Sequence, residues 1–102
     1  MKTQVTFRHV NSQHPRLQED AKSILEGLRK YSDDITSANV EFLNEVNKTV
    51  VITINLQGNI IVAKEESEDF YKSLKEAEDK IIRQIQKIKT KNIASRTKNV
   101  AV

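Results

Sequence analysis

The chain has 102 residues, which is enough for one domain with a modest core and too few for two. It contains no cysteine, so disulfides and thiolate metal sites are excluded, and no apolar run approaches the roughly 20 residues that span a membrane. The net charge of +3 is unevenly spread, because all 14 acidic residues precede Lys80 while residues 80–102 carry seven of the 17 Lys and Arg. These features predict a cytoplasmic protein without membrane association, and a polyanionic partner for the C-terminal end.

The N-terminal segment predicts a strand and then a helix. Residues 2–9 alternate between apolar and polar side chains, as a half-buried strand does. Pro15 suits the first turn of a helix, and apolar residues then recur at steps of three and four. These residues are Leu17, Ala21, Ile24, Leu25, Leu28 and Tyr31. The helix is expected to end near Ser32.

The middle of the chain predicts three more strands. Alternating patterns cover residues 38–43, 49–56 and 60–64, and the second of these is the clearest. Residues 57–59 separate the last two strands and predict a tight hairpin, because Gly58 can adopt a positive φ.

The last segment predicts a long helix and a basic tail. Residues 65–69 are mostly acidic, which favours a helix start because carboxylates interact well with the positive end of the helix dipole. An apolar stripe follows over about five turns. It consists of Phe70, Leu74, Ala77, Ile81, Ile85 and Ile88. Beyond Lys91 the composition is polar and unpatterned, so residues 1–91 are predicted to form the domain and residues 92–102 a basic, disordered tail.

The predicted order, βαβββα, defines the fold class as α+β. Two amphipathic helices and four strands with one apolar face each make a two-layer sandwich, with a four-stranded sheet and two helices on one face. The first two strands are joined through a helical crossover and the later strands form a meander. This arrangement leaves the second face of the sheet uncovered.

The long helix carries a row of cations beside its apolar stripe. At 100° per residue, four polar side chains fall within about 60° of one another and a fifth extends the patch. They are Lys80, Gln84, Lys87 and Lys91, extended by Arg83. No acidic residue follows Asp79, so ion pairs within the helix cannot neutralise the later cations. Such a row suits a nucleic-acid backbone, where each phosphate contact releases counterions. The alternative is a solvated helix face.

Other residues add to this candidate site or compete with it. Lys89 adds charge on the helix, and Lys22 and Arg29, seven residues apart, share a face of the first helix near Glu26. Tyr71 lies one residue from the apolar stripe and is either a rim residue or a contact residue. Because few aromatic residues are free to stack on bases, recognition is expected to rest on backbone and shape.

Catalytic and metal-binding patterns are weak. His9 and His14 have no cysteine nearby, and with Gly27 and Gly58 as the only glycines there is no phosphate-binding glycine loop. An exposed acidic cluster does not supply the burial that shifts a catalytic pKa. The sequence therefore predicts no enzyme activity, no cofactor or metal and no small-molecule substrate.

Two motifs in the C-terminal half resemble the ribosome hibernation-promoting factor and protein Y family. That family carries Asp-x-Tyr at the start of its last helix, matched here by Asp69 and Tyr71. It then carries Asp-Lys-[Leu/Ile]-x-Arg-Gln-[Leu/Ile]-x-Lys along the helix. The matching residues are Asp79, Lys80, Arg83, Gln84 and Lys87. The resemblance covers residues 2–91 and is strongest from Gly58 onward.

The resemblance implies a function as well as a fold. The family's βαβββα sandwich is similar to double-stranded RNA-binding domains with an added strand. Its members bind the small ribosomal subunit and its rRNA in the channel for messenger and transfer RNA. They block translation by occupancy and store idle ribosomes under stress. Residues carried over by motif as rRNA contacts are Lys80, Arg83, Gln84, Lys87 and Tyr71.

Two departures from the family narrow this expectation. Long members have a second domain that pairs ribosomes, and this chain is expected to be a short form, monomeric when free. The protein Y branch ends in an acidic tail, whereas residues 92–102 here are basic. Dimer promotion and silencing of single ribosomes both stay open.

The alternatives to a ribosome-binding inhibitor are a generic RNA-binding or membrane-surface module and a protein-interaction or enzyme domain whose site the sequence does not reveal.

Overall fold

The computed structural model describes residues 2–8 and 14–101, with the backbone alone from residue 89 onward. The elements are β1 (Lys2–Arg8), α1 (Pro15–Gly27), a 3₁₀ turn (Leu28–Lys30), β2 (Ile35–Asn44), β3 (Lys48–Leu56), β4 (Asn59–Ser67) and α2 (Phe70–Ala101). This order confirms the predicted βαβββα arrangement.

The four strands form one sheet in the order β1-β2-β3-β4. β1 pairs with β2 in parallel, with Val5 opposite Val40, because α1 carries the chain back between them. β2, β3 and β4 form an antiparallel meander in which Ile52 lies opposite both Val40 and Ala63. β1 and β4 are therefore the two edge strands.

The turn between β3 and β4 has the geometry that sets the register of this hairpin. Gln57 and Gly58 both have positive φ, of 50° and 85°, as in a type I′ turn. The Asn55 side-chain oxygen accepts a hydrogen bond from the Gly58 amide at 2.9 Å. The predicted hairpin at Gly58 is confirmed.

The core lies between the helices and one face of the sheet. Both predicted apolar stripes are buried: Leu17, Ala21 and Leu25 on α1, and Leu74, Ala77, Ile81 and Ile85 on α2. They pack against alternate residues of the central strands, such as Val40, Ile52 and Ile54. Phe42 joins the layers, since its ring stacks on Phe7 with 4.9 Å between centroids and meets Phe70 edge-on at 5.5 Å.

The acidic segment before α2 is divided between a strand and a cap. Glu65, Glu66 and Ser67 belong to β4, which pairs with β3 as far as Ser67, so the prediction that residues 65–69 begin the helix is wrong for these three. Asp69 immediately precedes the helix, and its carboxylate accepts a hydrogen bond from the Tyr71 amide at 3.1 Å. Asp69 is therefore the N-cap of α2, which gives the Asp of the Asp-x-Tyr motif a structural role.

A buried serine ties the start of α2 to the sheet. Ser73 is fully buried, and its hydroxyl donates to the Lys48 carbonyl at 2.7 Å. The same oxygen lies 2.7 Å from the hydroxyl of Ser67 at the end of β4. These hydrogen bonds fix where α2 begins relative to β3 and β4.

Helix α2 extends to Ala101, whereas the sequence predicted a helix to Lys91 and then a disordered tail. The backbone of residues 92–101 is helical because neither Gly nor Pro interrupts it, and Ala, Lys and Arg favour helix even without an apolar stripe. The division into a domain of residues 1–91 and a basic tail stays a prediction, since the side chains of residues 89–101 lie outside the described part.

Candidate nucleic-acid interface

One side of α2 lies along the edge strand β4. The Gln84 side-chain amide donates a hydrogen bond to the Val62 carbonyl at 3.2 Å, and Lys80 Nζ lies 3.4 Å from Glu65 Oε1. Both contacts connect the predicted cation row to β4. We call this side of α2, with Lys80, Arg83, Gln84 and Lys87, the β4 flank.

Lys80 forms an ion pair, and its partner lies outside its own helix. Glu76 and Asp79 stand within one turn of Lys80 on α2, but the paired carboxylate belongs to Glu65 on β4. The two side chains are 51% and 30% exposed, so water screens the pair and its free energy is on the order of 0–1 kcal/mol. A phosphate can compete for Lys80 at this modest cost.

Arg83 and Lys87 match the prediction more closely. Both side chains are exposed, and neither forms an ion pair within residues 2–8 and 14–88. They stand four residues apart on one helix, about 6 Å along its axis. The β4 flank therefore offers two free cations at adjacent turns.

The charge of the β4 flank changes along the helix. A cavity of about 370 Å³ near its start is lined by three carboxylates and two cations, which are Glu65, Glu76, Asp79, Lys80 and Arg83. The carboxylates offset the cations there, so this part of the surface attracts a polyanion only weakly. Beyond Arg83 the described part of α2 carries Lys87 and no acidic residue. The flank becomes positive toward its C-terminal end.

Gln84 has a different role from the cations beside it. β4 is an edge strand, and a backbone carbonyl on such an edge has no strand to pair with. The Gln84 amide satisfies the Val62 carbonyl, which holds α2 against the sheet. The side-chain oxygen of Gln84 is left to accept a hydrogen bond from a ligand.

Tyr71 lies on the other side of α2, in the groove between the two helices. It lines a cavity of about 340 Å³ together with Asp20, Ile24 and Leu74, and it is 44% exposed. Tyr71 precedes Lys80 by nine residues, and at 100° per residue it therefore lies about 180° from Lys80. The structure thus separates Tyr71 from the β4 flank.

Lys22 and Arg29 lie apart from the β4 flank, on α1 and on the 3₁₀ turn that follows it. Both are exposed. The side of α1 that faces α2 carries Asp20, Ser23 and Ile24, and Lys22 projects about 160–200° away from Asp20 and Ile24 on the helical wheel. Lys22 therefore lies toward the β1 side of the molecule, whereas Arg29 stands on the 3₁₀ turn that follows α1. The side chains of Lys89 and Lys91 lie outside the described residues.

The described residues show no arrangement suited to a metal. Within them no group of three His, Cys, Asp or Glu residues could hold an ion. His14 instead stacks on Phe7 with 6.2 Å between centroids, while His9 lies outside the described residues. No helix in the described part of the chain combines the length and the apolar character needed to cross a membrane.

Sequence reasoning missed three residues of β4 that border the flank. Glu65 was assigned to a helix start, and Ile60 and Val62 were assigned to a strand without noting that their side chains are 63% and 48% exposed. Their alternation with buried Ile61 and Ala63 was the available signal, because alternate residues face opposite sides of a sheet.

The fold and the β4 flank together define a class: a small α+β sandwich with a cationic helix side along one sheet edge, a surface suited to polyanions. Comparison with known families identifies it further. Residues 3–93 match the family described as "Sigma 54 modulation protein / S30EA ribosomal protein". The chain belongs to this family, which confirms the resemblance to hibernation-promoting factors and protein Y.

Three known proteins illustrate the relationship. The chain is 32% identical over 99 residues to a ribosome hibernation promotion factor of Deinococcus radiodurans; the match covers 91% of this chain, which spans about half, 51%, of that relative. A ribosomal subunit interface protein from Coxiella burnetii has 30% identity and a TM-score of 0.79, over 88% of this chain and 99% of that one. The Protein Y N-terminal domain of Thermus thermophilus shares the fold at 20% identity, with a TM-score of 0.76 over 86% and 99%.

Proposed function

We propose that this protein is a ribosome-associated hibernation factor that binds small-subunit rRNA and silences or stores idle ribosomes under stress. The proposed site is the channel that otherwise holds messenger and transfer RNA, so that occupancy alone blocks translation. The names of two relatives, a ribosome hibernation promotion factor and a ribosomal subunit interface protein, support the ribosome as partner.

The main support for this function is the pair of cations Arg83 and Lys87. Both are exposed and without an ion pair in residues 2–8 and 14–88, at the positive end of the described β4 flank. Arg can form two parallel hydrogen bonds to one phosphate, while Lys acts as a point charge. Phosphates that bind there release counterions, which drives association.

The remaining predicted contacts bind RNA in different ways. Lys80 binds phosphate in competition with Glu65, and Gln84 accepts a hydrogen bond with its free side-chain oxygen. Lys89 and Lys91 continue the row. A channel surrounds its occupant, so the separated groups meet different walls: Tyr71 one, and Lys22 with Arg29 another. Binding of this kind needs no cofactor, metal or small-molecule substrate, and the proposed binding form is a cytoplasmic monomer.

The first prediction tests the β4 flank by charge reversal. The double variant R83E/K87E should bind small ribosomal subunits at least about tenfold more weakly, because two phosphate contacts become repulsive. Co-sedimentation with purified small subunits measures the loss. Both side chains are exposed, so the variant should keep the wild-type melting temperature.

A matched control separates this site from general charge effects. The variant K2E/K30E changes the net charge by the same amount at exposed lysines away from the β4 flank, since Lys2 lies on the opposite edge strand β1 and Lys30 follows α1, and it should bind like the wild type. If R83E/K87E still sediments with subunits as the wild type does, the assigned surface is wrong. If the wild type binds unrelated RNA duplexes as tightly as subunits and does not inhibit cell-free translation at stoichiometric amounts, the protein is a generic RNA-binding module.

A further inference from the structure

An exposed apolar pair lies on the face of the sheet that the helices leave uncovered. Ile60 and Val62 are 63% and 48% exposed, and their side chains share this open face because Ile61 and Ala63 point into the core. Lys64 follows on the same face and is also exposed. Ile60, Val62 and Lys64 form what we call the β4 face, with about 7 Å between successive members.

The β4 face and the β4 flank meet at the edge of the sheet. β4 has no neighbour beyond it, and the Val62 carbonyl on that edge accepts the hydrogen bond from Gln84 at 3.2 Å. The Val62 side chain thus lies on the open face while its backbone touches the β4 flank. Arg83 is next to Gln84 in sequence, and Lys87 follows within one turn of the helix. A single ligand that crosses this edge can reach both surfaces.

Lys64 adds a free cation on the far side of the edge. It forms no ion pair in the described part of the chain. The acidic side chain in its row, Glu41 on β2, is held by Arg8 at 3.2 Å, with Thr6 and Val51 completing the row. Glu66, two residues along β4, is an exposed carboxylate on this face and marks where the positive surface ends.

We propose that the RNA-binding surface continues from the β4 flank over the edge of β4 onto the open face of the sheet. Lys64 binds a phosphate of the same RNA segment that Arg83 and Lys87 bind, and Ile60 and Val62 pack against its sugars and bases. This inference rests on the proposed function and deepens it. It specifies an unpaired or looped RNA segment, because the bases of a regular duplex are stacked and paired whereas those of loops are accessible.

Two variants separate the ionic from the apolar contribution. K64Q should lower the magnitude of the slope of log K against log salt by about 0.7–0.9, the value for one lost phosphate contact. I60T/V62T should weaken binding to small subunits about threefold or more and leave the slope unchanged, since apolar contacts release no counterions. Thr retains β-propensity, and both side chains are exposed, so the sheet should form normally.

A control variant and the charge reversal on α2 separate binding at the β4 face from binding at the β4 flank. K30Q removes an exposed lysine in the groove between the helices and should leave affinity and slope unchanged. If R83E/K87E abolishes binding while K64Q and I60T/V62T match the wild type, RNA stops at the β4 flank and the inference is overturned. If I60T/V62T instead removes a concentration-dependent dimer without affecting RNA binding, the β4 face contacts a second copy, which also overturns it.

Discussion

At the scale of single residues, the ion pair between Lys80 and Glu65 sets how much positive charge the β4 flank offers. Glu65 reaches Lys80 from β4 because alternation places its side chain on the helix side of the sheet. With Glu76 and Asp79 nearby, the start of the flank holds more carboxylates than cations. Phosphate binding is therefore proposed to depend mainly on Arg83 and Lys87 rather than on Lys80.

This balance predicts that Glu65→Gln strengthens RNA binding. Removal of the carboxylate frees Lys80, and because exposed ion pairs contribute up to about 1 kcal/mol, affinity for small subunits should rise by up to about fivefold. Filter binding at several salt concentrations measures it. In a double-mutant cycle, Lys80→Gln should weaken binding more in the E65Q background than in the wild type. Equal effects of K80Q in both backgrounds would show that Glu65 does not restrain Lys80.

At the scale of elements, α2 is positioned by its first turn and by its contact with the edge of β4. Asp69 caps the helix, and Ser73 bonds to the Lys48 carbonyl across the layers. About three turns beyond Ser73, Gln84 bonds to Val62. These contacts hold the β4 flank in register with the strand, so the motif residues of the family include structural ones.

Removal of the Asp69 cap should lower the stability of the protein and leave its affinity for small subunits unchanged. Asp69→Ala should lower the free energy of unfolding by about 0.5–2 kcal/mol, because the Tyr71 amide loses its acceptor. Asp69→Asn should retain most of the stability. Urea denaturation measures both, with Glu68→Ala as the neighbouring control. The folded fraction of D69A should bind small subunits like the wild type; weaker binding by folded protein would instead place Asp69 at the interface.

At the scale of the whole molecule, charge and core occupy different parts of the chain. The described core of α2 ends with Ile85 and the partly buried Ile88, whereas the cations of residues 89–102 lie beyond it. Lys22 lies on the side of α1 that faces away from α2 and its β4 flank. In the proposed binding mode, these separate groups of cations would meet different walls of the channel.

The separation of core and charge predicts the result of a truncation. A chain of residues 1–91 should melt within a few degrees of the full chain, because the described apolar stripe is retained. It should bind small subunits more weakly, with a shallower salt dependence, because Arg96 and Lys98 are lost. Thermal melts and salt titrations of both chains measure this. A large drop in melting temperature would contradict the predicted domain boundary.

The sequence by itself determined the order of elements, the two faces of each helix and the hairpin at Gly58. These features depend on local periodicity and backbone preference, which neighbouring residues specify without reference to the rest of the chain. Residues 65–67 and the C-terminal end of α2 were assigned wrongly for a related reason. The end of a strand depends on its partner, since β3 extends pairing to Ser67, and a helix can continue without apolar periodicity.

Only the tertiary structure decided which predicted contacts share a surface. Lys80 meets Glu65 over 15 residues of sequence, and Gln84 meets Val62 over 22, as these pairs follow from the way α2 packs on β4. The same packing places Tyr71 in the groove between the helices and leaves Ile60 and Val62 exposed on the open face. Charge in a sequence is local, but its neutralisation depends on every element packed against it.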